Sequence, residues 1–276
     1  MHSLQQLMAG ASLTETLARV ESQIKAQPAD ADQRAAFVQL LCLAGNWTRA
    51  QTQLKSWLAL KPQAQPTVTL LEQAISGELQ RADVFRGQGT PRLPGGAFSW
   101  AETLHQALLA QTQGDRQQAD ALRLAAFDAA AENPGSATLQ GDEAAQPFAW
   151  LIDGDGRLGP VCEMIVNGNY YWVPFSAIAE MRFQAPASVT DLVWRHTLVR
   201  LVDGAEQVCQ IPVRYPFEAE ASDAVRLANV TEWQPLDADE QQFIGQGQKV
   251  WLNDSAEFSL LNLETLAFIA SDFADE

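Results

Sequence analysis

The residues with the best claim to chemistry in this chain lie within one short stretch. Asp153-Gly154-Asp155-Gly156 alternates carboxylates with glycines, as the opening of a calcium loop does, where alternate side chains point at one cation and glycine permits the bend. The twelfth position of such a loop should carry a bidentate glutamate, and here residue 164 is Met. The stretch therefore predicts a tight turn in which Arg157 offsets the local acid. Glu163, Tyr170 and Tyr171 follow, and a buried carboxyl with a raised pKa could do acid/base work there. An enzymatic reading would set Asp153, Asp155, Glu163 or Tyr171 in a cleft between two domains. The bland reading makes the aromatics structural.

Other catalytic sets are missing from the sequence. His2, His105 and His196 are isolated, and Cys42, Cys162 and Cys209 form no C-x-x-C pair, so no zinc site and no nucleophile with a histidine base assembles from neighbours. The thiols are expected to be buried and free. No G-x-x-x-x-G-K-[ST] occurs, and no cofactor is expected.

The elements that must position these residues are β-strands. Asn167-Gly168 interrupts an apolar run that Tyr170, Tyr171 and Trp172 resume, the pattern of a hairpin whose turn needs positive φ. Asp203-Gly204 marks a second hairpin, pairing 192–202 with 205–213. Further strands are expected in PFAWLID and VWLND, a short helix over Ser176–Glu180, a loop entering a short helix between Glu218 and Asn229, and an apolar turn with an acidic frayed tail from Asn262 onward. Pro174, Pro212 and Pro216 mark run ends, where a missing backbone donor costs a ladder least.

The preceding half reads differently. From Leu4 to Pro134, Ala, Leu and Gln recur with apolar residues at three- and four-residue spacing, predicting helices. One helix holds Ala35, Val38, Leu41 and Leu43, the next Ala50, Leu54, Trp57 and Leu58, with Gly45-Asn46 as the turn between them. Gly45, Trp47, Ala50, Leu54 and Pro62 fit the second helix of a tetratricopeptide repeat, with Trp57 standing where that repeat prefers a small residue. Pro28 and Pro62 are 34 residues apart, the repeat period, and Gly114, Ala119 and Ala126 suggest a third copy. Glu78–Phe85 reads as the end of a long helix, and residues 86–99 as an ordered Gly/Pro-rich excursion.

The expected fold is thus α+β with two domains: tetratricopeptide-like α-α superhelix over 1–134, linker over 135–146, and a compact antiparallel β-rich, barrel-like domain over 147–276. The chain of 276 residues has a formal charge of -16. Residues 1–140 carry 11 Lys and Arg against 12 Asp and Glu, and residues 141–276 carry 7 against 22, so the acid is concentrated in the second half. Such a field repels phosphate backbones and anionic lipid, which argues against nucleic acid and membrane as partners. No apolar run approaches membrane-spanning length and no signal peptide is evident, so a cytoplasmic location is expected. Helical repeats bury a core by stacking and leave a groove suited to a peptide or helix, so binding is the default function. Trp47, Trp57, Phe85 and Trp100 are the candidate partner contacts. A scaffold that forms homo-oligomers is a third possibility.

The order of features, QLLCLAGNW, then PFAWLIDGDGRLGPVCEMIVNGNYYWVPF, then DLVW, IPVRYP and TEW, resembles the ImpE/TagJ family, also called the SciE type, across nearly the whole chain. That resemblance implies a cytoplasmic, non-enzymatic accessory protein of type VI secretion systems. It further implies binding to the N-terminal helix of the small sheath subunit TssB, and through the sheath a link to TssC and to disassembly by the ClpV ATPase.

Overall fold

A computed structural model of the protein describes residues 7–95, 98–237 and 241–269. Among the described residues, six helices with both ends described precede the sheet: α1 (Leu13–Ala26), α2 (Ala31–Leu43), α3 (Trp47–Leu60), α4 (Gln65–Phe85), α5 (Ser99–Thr112) and α6 (Arg116–Ala129). Local signals set their ends. Ser12 and Glu15 form a reciprocal capping box at α1, and Asp30 accepts from the backbone N–H groups of Asp32 and Gln33 at α2. Between α2 and α3 the chain reverses at Gly45, whose φ of 71° is the left-handed conformation that favours glycine.

The repeat spacing is preserved in the helices. α1 and α3 are each 14 residues long and begin 34 residues apart, at Leu13 and Trp47, and α6 has the same length. Each buries a short stripe: Leu13, Val20 and Ile24; Ala50, Leu54 and Trp57; Ala119 and Ala126. The Glu78–Phe85 segment closes the 21-residue α4, as its pattern predicts.

Thirteen strands follow among the described residues, eight of them in one antiparallel sheet: β1 (Gly135–Leu139), β2 (Gln146–Phe148), β4 (Val161–Val166), β5 (Asn169–Pro174), β6 (Ile178–Phe183), β7 (Trp194–Leu201), β8 (Glu206–Pro212) and β13 (Leu263–Phe268). Their order is β2-β1-β13-β6-β7-β8-β4-β5. The sheet is open: its outer strands are β2 and β5, so the barrel-like expectation is corrected to an antiparallel sheet that does not close. Both predicted hairpins form, Val161–Val166 against Asn169–Pro174 and Trp194–Pro212 in continuous register. Asn167 and Gly168 both have positive φ, 47° and 79°, as a two-residue hairpin turn requires.

Two smaller sheets cover the rest: β3 (Ile152–Asp153), β11 (Val250–Leu252) and β12 (Glu257–Ser259) form one, β9 (Thr231–Pro235) and β10 (Phe243–Gly247) the other. A short helix, α7 (Asp223–Arg226), ends the loop expected there.

β4 is buried on both faces. Val161 and Ile165 join the core made with the helices, whereas Cys162 and Met164 join a second core with Phe175, Ile211, Trp251 and Phe258. Gly77 lets α4 approach this strand, because a Cβ there would overlap the Ile165 side chain. Along the edge strand, Arg92 of the Gly/Pro-rich excursion exchanges backbone bonds with Tyr170 and Trp172 at 3.1 and 2.9 Å, so the excursion is ordered as expected up to Gly95. Its residues 96–97 lie outside the described residues.

Three local expectations change. Residues 135–139 of the supposed linker form β1, paired on both sides, with Ala137 buried in the second core. Backbone pairing, which composition does not display, holds this segment. Ser176–Glu180 is not a helix: a single 3-10 turn at Phe175–Ala177 leads into β6. The apolar turn expected after Asn262 is β13, lying between β1 and β6, and residues 270–276 of the acidic tail lie outside the described residues.

Candidate functional site

The Asp153–Phe175 stretch folds into a buried charge network where α4 meets the sheet. Glu163 on β4 projects toward α4 and is held by Arg81, Nε to Oε1 at 2.6 Å and a second guanidinium nitrogen to Oε2 at 2.9 Å. Lys249, just before β11, donates to Glu163 and to Asp153 at 2.7 Å each, and none of these three side chains is exposed. The Tyr170 hydroxyl donates to Glu163 at 2.6 Å and accepts from the Trp172 indole at 2.7 Å. On the helix side, Glu78 accepts from the Trp194 indole at 3.0 Å and lies 3.4 Å from Arg81.

The charges divide unequally. Burial on its own would raise the Glu163 carboxyl, but Arg81 and Lys249 outweigh it and hold the group far below the usual carboxylate range. Asp153 shares Lys249 and has no arginine, so burial prevails and lifts it to about 6. Asp155 is closed off by Arg157 at 2.9 and 2.5 Å and by the Gly245 N–H. These are the bonds of a turn and an ion-paired core. Among the described residues no group of three or more His, Cys, Asp or Glu is placed to hold a metal ion. Asp153, Asp155 and Glu163 meet through Lys249 and the turn, but Tyr171 stays half-buried on the edge strand, and none of the four lines a cavity described below.

Arg81, Lys249 and Glu78 were missed by sequence reasoning. A signal existed for one of them: Lys249 is the only lysine in residues 141–276 and sits directly before the apolar Val250-Trp251. The three cysteines are free and buried, as expected.

The four aromatic candidates are dispersed. Trp100 is 8% exposed and belongs to the helical core. Phe85 lies under two guanidinium groups, Arg157 at 4.8 Å and Arg81 at 5.7 Å from its ring centre. Trp57, 7% exposed, forms part of a groove of about 650 Å³ between α2, the end of α3 and the start of α4. Small Ala35, Ala36 and Ala64 shape its floor, and Asp32, Gln39 and Lys61 its polar margin. Trp47 packs on Trp194 with ring centres 5.6 Å apart and lines a smaller cavity of about 120 Å³ at the α2–α3 turn. A further cavity of about 440 Å³ lies between Thr90-Pro91 and α5, beside His105.

Comparison with known proteins agrees with this architecture. Residues 145–267 match the ImpE protein family. The chain is 39% identical over 269 residues to the type VI secretion system accessory component TagJ of Pseudomonas aeruginosa, covering 97% of this chain and 92% of that protein. It also superposes on a crystal structure of a Vibrio parahaemolyticus protein with a TM-score of 0.83 at 27% identity, covering 93% of this chain and 94% of the other. No described helix is long and apolar enough to cross a membrane. Identity of that extent to TagJ, together with the family match over residues 145–267, places the chain in the ImpE family of type VI secretion accessory proteins.

Proposed function

We propose that the protein is a non-enzymatic cytoplasmic adaptor that receives the N-terminal amphipathic helix of the small sheath subunit TssB, and through the sheath acts with TssC and ClpV in assembly or disassembly. The observation that carries this reading is the groove between α2, α3 and α4. Its volume of about 650 Å³ suits several anchor side chains, and an alanine floor beside Trp57 lets a helix approach closely. The polar margin of Asp32 and Lys61, paired at 3.1 Å across the rim, suits the wet edge of an amphipathic helix. Of the four aromatic candidates, Trp57 belongs to this groove, and Trp47 to a separate contact at the α2–α3 turn.

The test is a titration of the full-length protein into a fluorescently labelled TssB N-terminal helix. Binding in the range of roughly tens of micromolar or tighter is expected. Thr67→Trp, at an exposed position of the groove, should weaken it at least ~10-fold by filling the space. Absence of binding in that range, or equal binding by T67W, would overturn the assignment.

A further inference from the structure

The small cavity at the α2–α3 turn has a chemistry distinct from that of the groove. Its wall combines the aromatic rings of Trp47, Tyr215 and Phe217 with three charged side chains, Glu78, Arg81 and Arg214, each at most 5% exposed. Arg81 has Glu163 and Glu78 as counter-ions, Arg157 has Asp155, and Lys249 has Asp153 and Glu163. Among the described residues, Arg195 and Arg214 are buried without such a counter-ion, and of the two it is Arg214 that lines this cavity. Its guanidinium donates to the carbonyls of Leu43, Cys42 and Arg226, lies 5.0 Å over the Phe217 ring centre, and makes no ion pair among the described residues.

A buried charge is costly without a partner of opposite sign, and carbonyl dipoles compensate only part of the loss of water. Burial accordingly depresses the Arg214 guanidinium to about 10. The carboxylate on the cavity wall, Glu78, is committed to the Trp194 indole and to Arg81. The field of Glu78 offsets part of the burial of Arg214 without contact, and Arg81 and Arg226 act against it. The cavity therefore joins a desolvated guanidinium without a contacting carboxylate to a volume, about 120 Å³, that fits a small side-chain head group and is too small for a nucleotide.

From this geometry we infer that the cavity at the α2–α3 turn is a carboxylate-binding pocket, in which Arg214 pairs with an acidic group of a bound protein while Trp47 and Phe217 cover its aliphatic stem. The site is separate from the helix groove, and its existence does not depend on which helix the groove receives. The acid can be an aspartate or glutamate side chain or a chain-terminal carboxylate.

The experiment is an NMR titration of the full-length protein, following the Trp47 indole N–H signal assigned with Trp47→Phe. The probes are the N-acetyl, α-methylamide derivative of aspartate, which offers a side-chain carboxylate, N-acetylalanine, which offers a terminal one, and the asparagine counterpart of the first as a neutral control. A saturable shift is expected with at least one acid in the millimolar range, at least ~10-fold weaker for the neutral amide. The tighter acid identifies the source. Ala82→Leu, which fills the cavity from α4 without removing a charge, should abolish the shift while leaving the spectrum dispersed. Arg214→Gln tests the charge directly where it folds. No saturable shift, equal shifts with the amide, or shifts unchanged in A82L would overturn the proposal.

Discussion

Lys249 and Glu163 meet at 2.7 Å with neither side chain exposed, and the same ammonium reaches Asp153 at an equal distance. This contact ties the approach to β11 to the strand on which α4 rests. Removing one member of such a set leaves the others buried and uncompensated, which costs about 3–5 kcal/mol. Lys249→Met should therefore lower unfolding stability by that order in a urea titration. Lys249→Met combined with Asp153→Asn should recover part of the loss, because one of the stranded carboxylates is then gone.

The division of charge around Lys249 also sets a pH dependence. The Asp153 carboxyl is raised to about 6, against an ordinary value of 3.8. In that interval the folded state binds the proton more tightly than the unfolded state, so this group favours folding as pH falls and opposes it as pH rises through about 6. Glu163 has the opposite sign: its contribution is present above the ordinary carboxylate range and is lost only in strong acid. Asp153→Asn removes the first effect alone. Relative to the wild type, D153N should gain about 1 kcal/mol of stability between pH 5 and pH 7. Paired denaturant curves at the two pH values measure this, and a constant difference would contradict it.

Tyr170 joins two buried polar groups. Its hydroxyl donates to Glu163 and is the hydrogen-bond acceptor of the Trp172 indole. Tyr170→Phe would leave that indole donor buried without a partner, at a cost of about 1–3 kcal/mol. Denaturation followed by tryptophan fluorescence reads both the stability and the altered Trp172 environment. An unchanged midpoint would mean that another acceptor replaces the hydroxyl.

Much of this arrangement was legible in the sequence, for reasons that particular residues show. Asn167-Gly168 and Asp203-Gly204 announced hairpins because their backbone conformations are strongly restricted by residue type. The 34-residue spacing of Pro28 and Pro62 announced the repeat because stacked helices recur at a fixed period. β1 and β13 were hidden because pairing along a sheet depends on distant backbone partners, and Gly135–Leu139 has little apolar content of its own. The site was hidden for a related reason. Arg81 and Glu163 are 82 residues apart, so their bidentate contact exists only once α4 lies on β4. Asp153 and Glu163 looked like candidate acids because a sequence shows carboxylates without the cations that fold against them.

The approach of α4 to β4 that creates this network depends on Gly77. Glycine inside a helix ordinarily costs about 1 kcal/mol relative to alanine, so an alanine there would be expected to help an isolated helix. In the folded protein a Cβ at residue 77 would overlap the Ile165 side chain, and the helix or the strand would have to shift. Gly77→Ala should destabilise by about 1–3 kcal/mol, the usual cost of overpacking a dense core. Trimming the opposing residue should relieve it: Gly77→Ala with Ile165→Val should regain a substantial part of the loss, although Ile165→Val alone is destabilising. A thermal or urea double-mutant cycle separates the two outcomes. Simple additivity would show that α4 is not held against Ile165 as the structure places it, whereas a coupling of about 0.5 kcal/mol or more toward stability identifies the Gly77–Ile165 contact as what sets the distance between the helical repeats and the sheet.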